Sequence, residues 1–283
     1  MASLGEDSVE CVRSPSAPQP PLAVNISPFL SPSIQRVAGE KTGAFEVKFL
    51  ITDALAQQVQ DWAVRHMMPD AYADPALNGA YQTTTLYLDT PEMGVFNRVN
   101  GHRKTKYRLR RYGVGERIYL ERKTRRGDRV SKRRCDVPAF ELSQLTCPAA
   151  DASPGDDAAI WPGVWFRERV VAYPLQPSCR LTYDRCAFVK GSEEGPMRLT
   201  LDRHIRGHAT DAWDLTPVDE GHAILPGEVI CEFKFRQSMP GLFKELIQLL
   251  KLEAGSVSKY RRMMTAAGMV PLVSEPQPSA IDA

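Results

Sequence analysis

The chain has 283 residues, 43% hydrophobic and 25% charged, with a formal net charge of +2; it has enough apolar material for one large core or two modest ones, which excludes disorder throughout. No run approaches the ~18 to 20 apolar residues that a membrane-spanning helix needs. The opening MASLGEDSVECVRSPSAPQPP lacks the basic-then-apolar layout of a secretion signal, so the cytoplasm is the expected location.

In chain order, residues 1–42 are rich in Pro, Ser and Gly without periodicity and read as a disordered tail. FEVKFLI alternates with period two: Phe45, Val47, Phe49 and Ile51 point one way, Glu46 and Lys48 the other. TDALAQQVQDWAVRHM predicts a helix capped at Thr52 or Asp53. YQTTTLYLD reads as a strand before the turn-prone TPEMG. KYRLRRY sets Lys106, Arg108 and Arg110 on one face, and RIYLERK sets Arg117, Tyr119, Glu121 and Lys123 on one face, with GVG as the hairpin turn between them. RVSKRRCDV groups Lys132, Arg134 and Asp136. Residues 148–163 read as an acidic surface loop.

The second half repeats this grammar. LTYDRCAFV carries Tyr183 and Arg185 on one face, MRLTLD carries Arg198, Thr200 and Asp202, and EVICEFKFR carries Glu228, Ile230, Glu232, Lys234 and Arg236. The R-H-I-R-G-H stretch reads as irregular, with His204 and His208 as a loop pair rather than a metal site. Helices follow Pro240 (GLFKELIQLLKLEA) and begin at Ser256 or Ser258 (SVSKYRRMMTAAG). Residues 271–283 read as a second flexible tail. One domain over 43–270 is therefore expected, an α+β fold with seven or eight strands that each carry one charged face. The six cysteines, Cys11, Cys135, Cys147, Cys179, Cys186 and Cys231, are scattered without a C-x-x-C pair and read as reduced structural thiols.

The small net charge hides an uneven distribution. Arg98 to Arg134 carries sixteen Lys or Arg against three acids, whereas the rest of the chain has 20 bases and 31 acids. A solvated basic surface is the plain reading of such a run. However, the bases recur on alternate strand positions with sparse acids among them, and concentrated like charge calls for an anionic partner. If eight antiparallel strands close into a barrel with the charged faces inward, the apolar faces can be covered outside by the amphipathic helices, and the result is a tunnel lined by cations. Such a tunnel suits a chain of phosphates, since Arg offers planar forks and Lys a compact charge. A carboxylate in that lining suits Mg²⁺ or Mn²⁺ bridging phosphate oxygens, and Glu232 is the candidate.

The ordered motifs F-E-V-K-F, Y-R-L-R-R-Y-G, Y-L-E-R-K-T, V-S-K-R-R, Y-D-R-C-A-F, R-L-T-L-D, C-E-F-K-F and S-V-S-K-Y-R-R resemble the catalytic domain of the vacuolar transporter chaperone (VTC) family. These are polyphosphate polymerases within the triphosphate tunnel metalloenzyme superfamily. The resemblance covers about residues 43–265. It implies that Lys48, Arg108, Arg110, Lys123, Arg185 and Lys259 act on the reacting phosphates, that Lys132, Arg134, Arg198 and Arg262 bind phosphate, that Glu232 holds Mn²⁺ or Mg²⁺, and that Tyr183 packs against a nucleotide base. Arg262, or Arg261 beside it, stands where the polymerases typically have Lys. Ala44 replaces the first Glu of the superfamily's E-x-E-x-K signature, leaving Glu46 and Lys48. The partners implied are ATP and inorganic polyphosphate, with no specific nucleic acid and an association with a membrane protein. Three alternatives stay open: a triphosphatase using the same tunnel, a non-catalytic polyphosphate binder, and nucleic-acid binding through residues 98–134, where Tyr107, Tyr112 and Tyr119 interleave with the bases.

Overall fold

The computed structural model describes residues 43–99, 101–146, 161–192 and 195–269. The expected tails, most of the 148–163 loop, Cys11 and Cys147 lie outside the described residues. In chain order the elements are β1 (Ala44–Thr52), α1 (Asp53–His66), β2 (Met68–Pro69), β3 (Ala80–Asp89), α2 (Gly94–Asn97), β4 (Thr105–Tyr112), β5 (Arg117–Arg126), β6 (Arg129–Pro138), α3 (Val164–Ala172), β7 (Gln176–Lys190), β8 (Met197–Ala209), β9 (His222–Ala223), β10 (Glu228–Phe235), α4 (Gly241–Leu250) and α5 (Lys259–Ala266).

Every expected strand forms, and the pairings are antiparallel. The strand order is β2-β7-β3-β4-β5-β6-β1-β10-β8-β9, and β7 also pairs with β8, so the eight long strands run round a ring. Seven of the eight junctions are extended ladders. The seam between β6 and β1 has only two residue pairs, Ala44 with Val130 and Phe45 with Arg129. The architecture is thus α+β with a large antiparallel sheet partly closed into a ring, a looser closure than the barrel expected from the sequence.

Alternation sends the apolar side chains into two clusters. One joins Phe49, Val229, Cys231, Phe233, Leu199 and Leu201 to α1 and α4; Phe243 of α4 stacks on Phe233 with ring centroids 4.3 Å apart. The other joins Leu86, Leu109, Leu120 and Leu181 to Phe166 of α3 and to Tyr260, Met263 and Met264 of α5. Helix α1 starts where the sequence suggests, since the Thr52 hydroxyl accepts from Leu55 N–H at 3.3 Å, with Asp53 in the first turn and Arg65 and His66 in the last. Helix α5 starts at Ser258, whose hydroxyl accepts from Arg261 N–H.

Two differences from the sequence reading have local causes. The R-H-I-R-G-H stretch is not a loop but the continuation of β8 to Ala209. Its register against β7 shifts between Thr182 and Asp184, and His204 takes a left-handed backbone with φ of 49°, so a bulge interrupts the alternation that marks a strand. Helix α3 has Phe166 and Val170 buried on one side while Val171 is exposed, too short an apolar stripe to stand out from the loop before it.

Asp89, at the end of β3, ties both small helices to the ring. Its carboxylate accepts from the backbone N–H groups of Thr90, Val95 and Phe96 at 2.7 to 2.8 Å, and from the Tyr260 hydroxyl on α5. Asp89 is fully buried, so its loss would leave three amide donors and a phenol without partners away from water. Asp89→Ala is expected to cost about 3 kcal/mol or more and Tyr260→Phe about 1 kcal/mol, read from urea unfolding; equal small losses would show that α5 is held by packing alone.

Candidate functional site

The charged faces of the ring surround a cavity of about 210 Å³. Twelve lysines and arginines line it, against three carboxylates, Glu46, Asp202 and Glu232. Two further carboxylates, Glu121 and Asp70, sit buried behind the lining.

Each carboxylate acts as a post for the cations around it. Glu121 on β5 has no solvent exposure; it accepts from Arg108 Nε at 2.6 Å and from Lys132 Nζ at 3.2 Å, with Arg134 Nε at 3.6 Å. Asp202 on β8 receives the two-pronged fork of Arg185 at 2.6 and 2.7 Å and also the Lys259 ammonium from α5. Asp70, just after β2, receives Arg198 at 2.5 Å, and the Tyr81 hydroxyl bridges the pair. On β1, Glu46 pairs with Lys123 at 2.5 Å. Lys234 joins the last two carboxylates, lying 2.7 Å from Glu232 and 3.7 Å from Glu46, and Lys48 lies 3.7 Å from Glu232.

The titrations follow from this crowding. Burial alone would raise the carboxyl pKa values, but the surrounding cations outweigh it. Lys234 and Lys48 hold Glu232 well below the usual range, Arg108 and Lys132 do the same for Glu121, and Lys234 and Lys123 lower Glu46. The lysines move the other way. Burial brings Lys123 and Lys132 down to about 8 even with Glu46 and Glu121 beside them. Burial, then Lys48 and Lys123, push Lys106 well below its ordinary value, although its ammonium donates to Ser258 Oγ at 2.8 Å. Tyr112 is desolvated, which would raise its phenol, yet Arg110 and Arg134 draw it down to about 7.

Most of the residues expected from the sequence meet here. Lys48, Arg108, Arg110, Lys123, Lys132, Arg134, Arg185, Arg198, Glu232 and Lys259 all line the cavity. Arg262 does not. Lys259 opens α5 and points inward, whereas Arg262, almost one turn later, is exposed and outside the lining. Arg261 faces the other way, donating to the Phe96 carbonyl at 2.5 Å and lying over the Phe96 ring. Tyr183 is wholly buried under the cations: its hydroxyl accepts from Arg110 at 2.9 Å, and Lys259 Nζ lies 4.5 Å from its ring centre.

Residues not among the sequence candidates also contribute, namely Lys106, Lys234, Arg236, Tyr112, Glu46 and Asp202 at the wall and Asp70 and Glu121 behind it. Most shared a strand face with a candidate, so period two could have found them. Asp70 had no such signal, because it follows a two-residue strand.

Among the described residues no three His, Cys, Asp or Glu side chains stand together as a metal cage. Glu232 and Glu46 do approach one another through Lys234. Two carboxylates suit a hard divalent cation that takes its remaining ligands from phosphate oxygens and water, as Mg²⁺ does.

The model of the VTC domain family matches residues 44–267. The chain belongs to the VTC domain family. No curated protein matches this VTC domain. Among solved structures it is similar to a putative adenylyl cyclase from Hippeastrum, described as having a dominant triphosphatase activity, with 12% identity over 83% of this chain and 98% of that one and a TM-score of 0.42. It is also similar to the PH1819 protein from Pyrococcus horikoshii, with 11% identity over 78% and 98% of the two chains and a TM-score of 0.40. A putative adenylate cyclase from Vibrio parahaemolyticus has 12% identity over 79% and 99% and a TM-score of 0.38. No helix among the described residues of the VTC domain is long and apolar enough to cross a membrane.

Glu121 gives a direct test of the post arrangement. Glu121→Gln keeps the shape but leaves three cations facing each other without their counter-charge, and breaking a buried pair in this way costs about 3 to 5 kcal/mol. The expected result is a large drop in unfolding free energy that added inorganic phosphate or sulfate partly restores; a stability equal to wild type would mean that the cations are solvated.

Proposed function

We propose that this VTC domain is a polyphosphate polymerase, transferring the γ-phosphoryl group of ATP to the end of a growing inorganic polyphosphate chain. The observation that carries the reading is the excess of positive charge in one cavity, with twelve bases against three lining carboxylates on the inner faces of a ring of strands. A linear polyanion threaded through the ring as a tunnel would offset that charge along its whole length.

In this reading residues 43–270 form one catalytic unit working in the cytoplasm, where ATP is supplied, in association with a membrane protein and with no specific nucleic acid. The acceptor is the terminal phosphate of the chain. Its oxygen forms the new bond to the γ-phosphorus as the bond to the β-phosphate oxygen breaks, and the electron pair leaves on ADP. No side chain has to act as a nucleophile, since positioning and charge neutralisation carry phosphoryl transfer. Arg110 is held by Thr85 and Tyr183 so that its charge is fixed toward the cavity. Arg108, Arg185 and Lys259 are each anchored on a buried carboxylate, which sets their position before substrate arrives. Lys48, tied to the Val257 carbonyl at 3.0 Å, and Lys123 supply charge beside Glu232 and Glu46. Lys132, Arg134 and Arg198 extend the phosphate contacts. When bound by Glu232 with Glu46 at hand, Mn²⁺ or Mg²⁺ would supply Lewis-acid neutralisation of phosphoryl oxygens.

Purified protein incubated with ATP, Mn²⁺ or Mg²⁺ and a short polyphosphate primer is expected to yield ADP and long chains on a phosphate gel. Glu232→Gln and Lys48→Ala should each lower chain growth by about a hundredfold or more. Free phosphate without chains would make the protein a triphosphatase, and tight binding without turnover a polyphosphate binder.

A pH dependence follows from Lys123 and Lys132. Their ammonium groups are charged below about 8 and neutral above it, so cations are lost as pH rises through that value. A bound polyanion favours the charged forms, and binding therefore takes up protons. Polyphosphate affinity at constant salt is expected to fall as pH rises past about 8; calorimetry in buffers of different ionisation heat would read the uptake, and an affinity independent of pH would remove both lysines from the phosphate path.

A further inference from the structure

Strand β6 pairs with β5 along its whole length, from Arg129 opposite Arg126 to Pro138 opposite Arg117. Toward β1 its ladder stops at Val130. From Ser131 to Pro138 no described strand lies against that second edge, and in an antiparallel ladder every other residue turns its backbone groups that way. An open edge of this length is a template for a further strand.

The chain itself runs into this edge. Ala44 lies opposite Val130 and Phe45 opposite Arg129 in antiparallel register, so residues that precede Ala44 in line with β1 fall opposite those that follow Val130. Gly43 already keeps that course. A Cβ there would meet Arg129 Cβ at 2.9 Å and the Val130 carbonyl oxygen and amide nitrogen at 3.3 and 3.4 Å, and its own carbonyl accepts from the Arg129 guanidinium at 3.1 Å. Carried back residue by residue, the same register sets Thr42 opposite Lys132, Lys41 opposite Arg133, Glu40 opposite Arg134 and Val37 opposite Val137.

Alternation then assigns the faces. Ala44, Glu46 and Lys48 line the cavity on β1, as do Val130, Lys132 and Arg134 on β6, which places Glu40 with the inner set and Lys41 with the outer. Arg134 has 10% of its side chain exposed, and none of its guanidinium nitrogens makes a hydrogen bond; Glu121, 3.6 Å from Nε, is already taken by Arg108 and Lys132. A carboxylate directly across the strand pair would supply the missing acceptor. On the outer face Lys41 against Arg133 opposes the pairing, but Arg133 is exposed and stacked on Trp165 at 4.4 Å, where salt and water screen it. We propose, whatever the cavity binds, that residues 36–42 add to the open edge of β6 as a continuation of β1, with Glu40 as the carboxylate partner of Arg134. The segment is contiguous with β1, so no loop has to be closed to bring it there, and this favours it over a second copy of the chain.

Hydrogen exchange of the full chain, read by mass spectrometry at two protein concentrations, tests the pairing. Amides of residues 36–42 are expected to exchange about tenfold more slowly than those of an unstructured chain, at either concentration. The double variant Lys41→Pro with Thr42→Pro removes a donor whichever way the ladder alternates and keeps Glu40, and it should abolish that protection. Glu40→Lys turns the partner of Arg134 into a like charge and should abolish it too. Unprotected exchange of 36–42 in the wild type would overturn the proposal outright. Protection that survives Glu40→Lys would overturn the register, and protection that grows with protein concentration would give the edge to a second copy instead. None of these readings depends on turnover, so a protein that grows no phosphate chains leaves the test intact.

Discussion

Mutual repulsion among the cavity cations is the constraint that the rest of the structure answers. Side chains from β1, β4, β5, β6, β7, β8, β10 and α5 bring positive charge toward one small volume, and without counter-charge the ring would open. Five carboxylates resist this, each placed where it touches more than one donor. Glu121 serves three cations from two strands, Asp202 joins β7 to α5, and Asp70 joins the connection after β2 to β8 and β3. These contacts are structural staples as well as site chemistry. Because every post is shared, neutralisation stays incomplete, and the surplus is what an anion can use.

The same sharing explains the uneven strength of the ring. Where β6 meets β1 the ladder has only two residue pairs, Ala44 with Val130 and Phe45 with Arg129. Across that seam the side chains take over from the backbone: Lys123 on β5 reaches Glu46 on β1. Outside, Arg129 lies over the Phe45 ring and donates to the Gly43 carbonyl. An ion pair of this kind depends on how well both partners are buried, so the seam is the part of the ring most responsive to a ligand that competes for Lys123.

Much of this was legible in the sequence because a strand writes its two faces on alternate positions. Arg108 and Arg110, Lys132 and Arg134, and Glu232 and Lys234 all fall inside together for that reason alone. The rule fails where the backbone leaves period two. The bulge at His204 disguised the second half of β8, and Asp70, in a short connection, had no periodicity to place it. Arg262 marks another limit: the motif resemblance gave the helix its role, but helical geometry turned only Lys259 into the cavity. Tyr183 shows a further one, since a sequence names an aromatic residue without saying which side chains will bury it. Its ring became the floor beneath Arg110, Arg185 and Lys259.

The posts differ in what they leave free, and this gives the cavity a direction. At Asp202 the fork of Arg185 is spent on the carboxylate, so this arginine offers field more than hydrogen bonds, whereas Arg198 gives Asp70 one nitrogen only. Around Glu46 and Glu232 the partners are lysines, whose ammonium groups keep spare donors after one contact and can turn toward an arriving oxygen. At Arg134 the guanidinium makes no hydrogen bond, with Glu121 3.6 Å from its Nε and the Tyr119 ring beneath it. Fixed arginine charge at Asp202, adaptable lysines beside Glu46 and Glu232, and the Arg134 guanidinium at the tyrosine cluster make successive environments. A single compact anion would satisfy one of them and leave the others in debt to solvent or to each other. In the proposed polymerase, a chain of identical phosphates long enough to meet all three would engage the whole arrangement.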